Sequence, residues 1–117
     1  MTTETELLHL LEMAARACGY MPNNNWQWCQ RAGTDGAFRY RLGGDWVEWA
    51  PHTDDGDSAR MRSALLVDVY MQEWQVVCTK DRRAMFFEKF ADHNNDRNAA
   101  LRLCALKVAA MIGVGME

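Results

Sequence analysis

The densest group of chemically capable side chains is an acidic cluster near the middle of the chain. Three carboxylates, Asp54, Asp55 and Asp57, fall within four residues that also include a glycine. Calcium and magnesium prefer carboxylate oxygens, and a glycine lets the chain turn tightly around an ion. The spacing of an EF-hand and its distant glutamate are missing. Two hypotheses therefore remain: a divalent metal site, or, as we favour, the N-terminal cap of a helix.

His52 lies beside this cluster and offers a second kind of chemistry. A histidine next to carboxylates can serve in acid–base catalysis or bind a metal, whereas an isolated surface histidine does neither. The sequence contains no nucleophile elbow and no glycine-rich phosphate loop. We therefore predict no catalytic residue, no metal and no cofactor. A metal-dependent hydrolase that uses His52 and the three aspartates is the less favoured alternative.

Aromatic and arginine residues are concentrated just before the acidic cluster. Four of the five tryptophans fall between residues 26 and 49. Tryptophan and arginine anchor interfaces and stack on planar ligands. The predicted ligand-binding surface combines these residues with the acidic segment and comprises Trp46, Trp49, Arg39, Arg41, His52, Asp54, Asp55 and Asp57. The alternative is that most of the rings pack in the core.

Local patterns indicate the elements that position these residues. A capping-box spacing near the start, followed by apolar residues at three- and four-residue steps, predicts a first helix that runs to about Ala17. Residues 26–31 and the strictly alternating residues 38–42 predict a hairpin. Trp46 and Trp49 then fall in the loop that leads to the acidic cap.

The second half of the chain predicts two further helices. Residues 57–66 predict the second helix, and residues 67–79 predict one strand with a bulge or bend near residue 72, where the apolar parity changes. Residues 84–90 predict the next strand, and residues 97–112 the third helix. The order α-β-β-α-β-β-α predicts an α/β layered sandwich with a four-stranded sheet, built by all 117 residues as a single domain.

The third helix carries two apolar stripes instead of one. The stripes comprise Ala99, Leu103, Leu106 and Ala110, and Leu101, Ala105, Val108 and Ile112. A helix that is apolar all round is normally buried from several sides, and a two-fold dimer would supply a second partner. Only Arg102 and Lys107 are polar in its central turns. We therefore expect a homo-oligomer formed through this C-terminal helix.

Composition excludes several classes of protein. Apolar residues make up 49% of the chain and charged residues 25%, which is typical of a folded domain. No apolar stretch approaches the roughly 20 residues of a membrane span, so we expect no membrane partner. The net charge of −3 and the scattered basic residues argue against nucleic acid. The four cysteines form no Cys-x-x-Cys pair and are expected to be structural thiols.

Residues 49–57, Trp-Ala-Pro-His-Thr-Asp-Asp-Gly-Asp, resemble the W-x-P-x-T-D-D-G-D signature of the phage ABA sandwich domain, a family of short bacteriophage proteins. The elements around this motif follow the order of the family along most of the chain, and residues 74–90 resemble it least. The resemblance implies a three-layer αβα sandwich and a phage origin, and it implies no particular biochemical activity. With no export signal at the start of the chain, we expect the cytoplasm of the host cell.

A phage origin implies an accessory role, because small phage proteins often bind a host protein or sequester a host immune signal. The leading hypothesis is a non-enzymatic binding protein that captures a nucleotide-like signal in an anti-defence role. Bases would stack on indoles, and phosphates would pair with arginines. The competing hypothesis is an inhibitor that binds a host protein directly.

Overall fold

The chain has a mixed α/β fold. The computed structural model describes the backbone of residues 3–19, 26–29, 37–42, 45–81 and 84–115, and the side chains of residues 3, 5–19, 48–81 and 84–115. The elements within these ranges are α1 (Glu4–Ala17), β1 (Trp26–Cys29), β2 (Ala37–Leu42), β3 (Asp45–Trp49), α2 (Asp55–Leu65), β4 (Asp68–Met71), β5 (Gln75–Lys80), β6 (Ala84–Lys89), a short 3-10 helix (Phe90–His93) and α3 (Arg97–Val114).

Each of the three α-helices in these ranges is preceded by a residue that caps it. The side-chain oxygens of Thr3, Asp54 and Asp96 accept hydrogen bonds from the amides three residues later, at 3.1, 2.8 and 3.0 Å. Such a cap satisfies one of the amide groups that a first helical turn leaves without a partner, and it is worth about 1 kcal/mol. The predicted end of the first helix at Ala17 is confirmed.

The strands form two three-stranded antiparallel sheets, in the orders β1-β2-β3 and β4-β5-β6. The prediction of one four-stranded sheet is therefore corrected. Residues 45–49, predicted as a loop, form β3, and their pairing begins with Leu42 opposite Asp45. The two residues between these partners are Gly-Gly, which is a hairpin signal.

A second strand was also absent from the prediction, for a different reason. Residues 67–79, predicted as one bent strand, instead contain β4 and β5 of a hairpin. The amide of Gln72 donates to the carbonyl oxygen of Gln75 at 2.9 Å and closes the turn between them. The change of apolar parity near residue 72 thus marks a reversal of the chain rather than a bulge.

Helix α3 lies at the centre of the core. It packs against α1, α2 and the strands β5 and β6. Leu106 and Val108, one from each apolar stripe, are both fully buried. A Cβ at Gly113 would collide with the carbonyl oxygen of Met13, so this glycine permits the close approach of α1. The burial of α3 within one chain removes the reason for expecting oligomerisation through this helix.

Three cysteines among the described side chains are free thiols. Cys78 and Cys104 are fully buried, and the thiol of Cys104 donates to the carbonyl oxygen of Phe86 at 3.2 Å. Burial raises the pKa of Cys18 to about 11. These properties agree with the expectation of structural thiols. Cys29 belongs to that expectation too, and its side chain lies outside the described residues.

None of the helices in the described ranges has the length and apolar character needed to cross a membrane.

Candidate functional site

The acidic cluster forms the junction between β3 and α2. Asp54 caps α2, as the capping hypothesis predicts. One carboxylate oxygen of Asp57 accepts the amide of Ala50 at 2.9 Å, and the other accepts the guanidinium of Arg60 at 2.6 Å. Asp57 thus holds the chain that enters the helix as well as the helix itself. Among the described side chains, no group of three or more His, Cys, Asp or Glu residues is placed to hold a metal ion.

Arg102 of α3 joins this junction to the centre of the fold. Its Nη1 donates to Asp55 at 2.6 Å, and its Nε donates to the carbonyl oxygen of His52 at 3.0 Å. The Arg102 side chain is only 16% exposed, so the guanidinium is held along the surface of α3. The segment of residues 49–57 therefore attaches α2 to α3, and Arg102, absent from the predicted site, is part of that attachment.

Trp49 belongs to the core and not to a surface. It is the last residue of β3, it is 3% exposed, and it is part of the main cluster of buried apolar residues. A ring buried to this extent offers no face on which a planar ligand can stack. For Trp49, the structure agrees with the alternative interpretation, in which the ring packs in the core. His52, three residues later, is half-buried.

The remaining members of the predicted surface lie on β2 and β3. The backbone register places Arg41 directly opposite Trp46, and Arg39 opposite Glu48. The side chains of Arg39, Arg41 and Trp46 lie outside the described residues. The structure therefore brings these three residues together as neighbours along two paired strands, and their role in binding stays a prediction.

A second candidate site is a cleft between α1, α3 and β6. Its volume is about 340 Å³, and the residues around it are Glu6, His9, Leu10, Phe86, Lys107, Ala110, Met111 and Val114. Five of these eight residues are apolar and three are ionisable. Apolar walls with a few polar groups are characteristic of small-molecule sites, whose volumes are usually about 300–1,000 Å³.

An ion-pair network on β6, α3 and the 3-10 helix orients the lysine of this cleft. Lys107 Nζ donates to one carboxylate oxygen of Glu88 at 2.8 Å, and His93 Nε2 lies 2.9 Å from the other. Burial acts to raise the pKa of Glu88. Hydrogen bonds from Lys107 and His93, together with their charges, outweigh burial and lower that pKa below its ordinary value. The carboxylate therefore stays ionised and fixes the position of the Lys107 ammonium.

The cleft was not predicted from the sequence, although one signal pointed to it. Arg102 and Lys107 are the polar residues in the central turns of an otherwise apolar helix. Both use their charge to reach another element: Arg102 to the acidic junction and Lys107 to Glu88. A charged residue that interrupts an apolar helix is expected to have such a partner, because an unpaired buried charge is costly.

Comparison with known proteins places the chain in no group. No family model, no curated protein and no solved structure matches it. What the fold and the two sites define is a small α/β protein in which a central helix packs on an antiparallel sheet and borders an apolar cleft.

Proposed function

We propose that the protein is a non-enzymatic binding protein of a bacteriophage that captures a nucleotide-like signal of the host's defence system. The phage origin, the three-layer αβα arrangement and the location in the host cytoplasm belong to the same proposal, and they rest on the motif at residues 49–57. The observation that carries the binding function is the cleft between α1, α3 and β6.

The cleft offers complementary groups for the parts of a nucleotide. Phe86 and Leu10 line it and provide an apolar surface for a base. Lys107 uses one of its three N–H donors on Glu88, so its other donors are available to a phosphate. His9 contributes a second group that can carry positive charge, and the carboxylate of Glu6 can accept an exocyclic amine of a base.

Residues Arg39, Arg41 and Trp46 are the second candidate location for the same ligand. Directly paired residues of antiparallel strands have Cβ atoms about 5 Å apart, which suits a surface where a guanidinium and an indole contact one ligand. The register of β2 and β3 gives Arg41 and Trp46 this relation. Substitutions at each location distinguish the two.

Native mass spectrometry with a panel of linear and cyclic nucleotides tests the function directly. We expect the protein to bind one member of the panel at fixed stoichiometry and to leave its mass unchanged. Consumption of the nucleotide would overturn the non-enzymatic proposal in favour of the hydrolase, and loss of turnover in Asp54→Asn would then be the next check. If no nucleotide binds at millimolar concentration, the competing function, direct binding of a host protein, takes its place.

Titration calorimetry of matched variants locates the site. Met111→Trp fills the cleft and is expected to weaken binding at least tenfold. Met71→Trp is the control, because Met71 lies outside the cleft lining and has nearly the same exposure, 49% against 47% for Met111. If Arg41→Ala abolishes binding while Met111→Trp leaves it intact, the ligand binds on the first sheet and not in the cleft.

A further inference from the structure

The second sheet has one face that helix α3 does not cover. The register sets Tyr70, Val77 and Phe87 directly opposite one another across β4, β5 and β6. Tyr70 is 56% exposed and Phe87 58% exposed, whereas Val76 and Cys78, which alternate with Val77 along β5, are fully buried. Because successive residues of a strand point to opposite faces, the sheet has one buried face and one open aromatic face.

More apolar residues border this row than an exposed face normally carries. Met85, beside Phe87 in the next row of the same face, is 65% exposed. Trp74 in the turn before β5 is 56% exposed, and the ammonium of Lys89 lies over its ring at 5.9 Å. A half-solvated antiparallel sheet usually presents polar residues to water. The open aromatic face therefore has the composition of an interface.

The size of the face suits a weak dimer. An aromatic side chain offers roughly 150–250 Å² of surface, so the exposed parts of three rings, with Met85 and Val77, give about 400–500 Å² of apolar area. A stable interface buries roughly 800 Å² on each partner. The apolar patch supplies about half of this area, so we expect a weak dimer with a dissociation constant in the micromolar range.

The charges on the face are arranged for a second copy of the same chain. Asp68 lies at one end, in the row with Thr79 and Met85, and Lys89 lies at the other end, opposite Gln75. A two-fold axis in the plane of the interface, parallel to the Tyr70–Phe87 row, stacks the two rows on each other. It also brings the acidic end of each copy to the basic end of the other, where Asp68 on β4 and Lys89 on β6 lie two strand spacings, or roughly 10 Å, apart along the row and attract each other at low salt.

We infer that the open aromatic face of β4, β5 and β6 is a homodimer interface, in which the Tyr70–Val77–Phe87 row packs against the same row of a second copy. This surface is distinct from the cleft and from the first sheet, so the inference does not depend on the proposed ligand.

Sedimentation velocity between about 1 and 500 µM tests the inference, since this range spans a micromolar dissociation constant. We expect the mass to rise from one chain to two. Phe87→Glu places a charge in the centre of the row and is expected to keep the protein monomeric. Met71→Glu, an equally drastic change at an exposed apolar residue that follows Tyr70 on β4 and belongs to the opposite face of the sheet, should dimerise like the wild type. Circular dichroism of each variant verifies folding.

A charge exchange provides the second readout. Asp68→Lys alone is expected to weaken dimerisation at least fivefold at low salt, and the double variant Asp68→Lys with Lys89→Asp is expected to restore it. A wild-type mass of one chain at every concentration overturns the inference. So does association that Phe87→Glu leaves unchanged, because the chains would then meet through another surface.

Discussion

The two sheets have the same topology but join the helices in different ways. The second sheet, β4-β5-β6, lies directly against α3, and its inner residues Val76 and Cys78 are fully buried. In the described ranges, the first sheet, β1-β2-β3, has no backbone contact with α3 of similar extent, and Trp49 at the end of β3 enters the core. The second sheet is therefore held along its length, whereas the described contact of the first sheet with the core is Trp49, at the end of β3.

This difference gives the motif at residues 49–57 a physical role. Its tryptophan is buried, its first aspartate caps α2, and its last aspartate holds the amide of Ala50. The motif fixes the point at which the first sheet meets the helices, whatever ligand the protein binds. Substitutions at the junction and in the second sheet therefore test whether the two sheets are held in these two different ways.

The largest effect is expected from Trp49→Ala. Removing a buried aromatic ring costs about 3–5 kcal/mol, because the apolar contacts are lost and a cavity remains. Chemical denaturation measures this cost. The matched control is Trp74→Ala in the turn between β4 and β5, which removes a ring that is 56% exposed and should cost below about 1 kcal/mol. Equal costs for the two variants would contradict the burial of Trp49.

Asp57→Ala should have the next largest effect. It leaves the Ala50 amide and the Arg60 guanidinium without their shared acceptor, and the Asp57 side chain is only 14% exposed. We expect a loss of about 2–3 kcal/mol in the free energy of unfolding. Asp54→Ala, which removes the helix cap and an exposed ion pair with Arg60 at 3.8 Å, should cost about 1 kcal/mol. A smaller loss for Asp57→Ala than for Asp54→Ala would show that the cap, not the Ala50 bond, secures the junction.

The elements with a clear local pattern were predicted, including the hairpin of β1 and β2, whereas the reversals that create β3 and separate β4 from β5 were not. The start of α1 follows from the capping-box spacing at Thr3, and the start of α2 from the acidic cluster, in which the structure selects Asp54 as the cap. Strand β3 was missed because the residues after Leu42 were assigned to a loop, although the Gly-Gly pair at 43–44 also closes two-residue hairpins. The same ambiguity merged β4 with β5, since a change of parity indicates either a bulge or a turn.

The site was less predictable than the fold, because its contacts join distant parts of the chain. Arg102 reaches Asp55 across 47 positions, and Lys107 reaches Glu88 across 19. No periodicity encodes such a pairing; only the presence of two charges in an apolar helix indicated that partners exist. Trp49 was assigned to a surface from its residue type, and type alone does not distinguish an anchor from a core ring.

Glu88→Gln tests the ion pair by which Glu88 of the second sheet binds Lys107 of α3. We expect a loss of about 1–2 kcal/mol at neutral pH, because the charge-assisted bonds from Lys107 and His93 are weakened. The lowered pKa of Glu88 adds a pH dependence. Its ionised form is favoured in the folded state, so its contribution is complete above the ordinary value of 4.5 and is lost as the pH falls below it.

The measurement for this variant is the difference in unfolding free energy from the wild type between pH 7 and pH 3. Other carboxylates titrate in both proteins, so the difference isolates Glu88. We expect the gap between the two proteins to narrow as the pH falls below 4.5. A gap that is constant with pH would mean that Lys107 and His93 do not stabilise the ionised carboxylate of Glu88.

The smallest loss of stability is expected at the corresponding ion pair of the junction after β3, between Asp55 and Arg102. Asp55 pairs with Arg102, as Glu88 pairs with Lys107, but the Asp55 side chain is 65% exposed and that of Glu88 is 13% exposed. Water and salt screen the exposed pair, so Asp55→Asn should cost below about 1 kcal/mol, and less at high salt. Arg102 keeps its bond to the carbonyl oxygen of His52 in this variant. Denaturation at low and high salt measures this cost. A loss as large as that of Glu88→Gln, and independent of salt, would contradict the screening of the Asp55–Arg102 pair by water and salt.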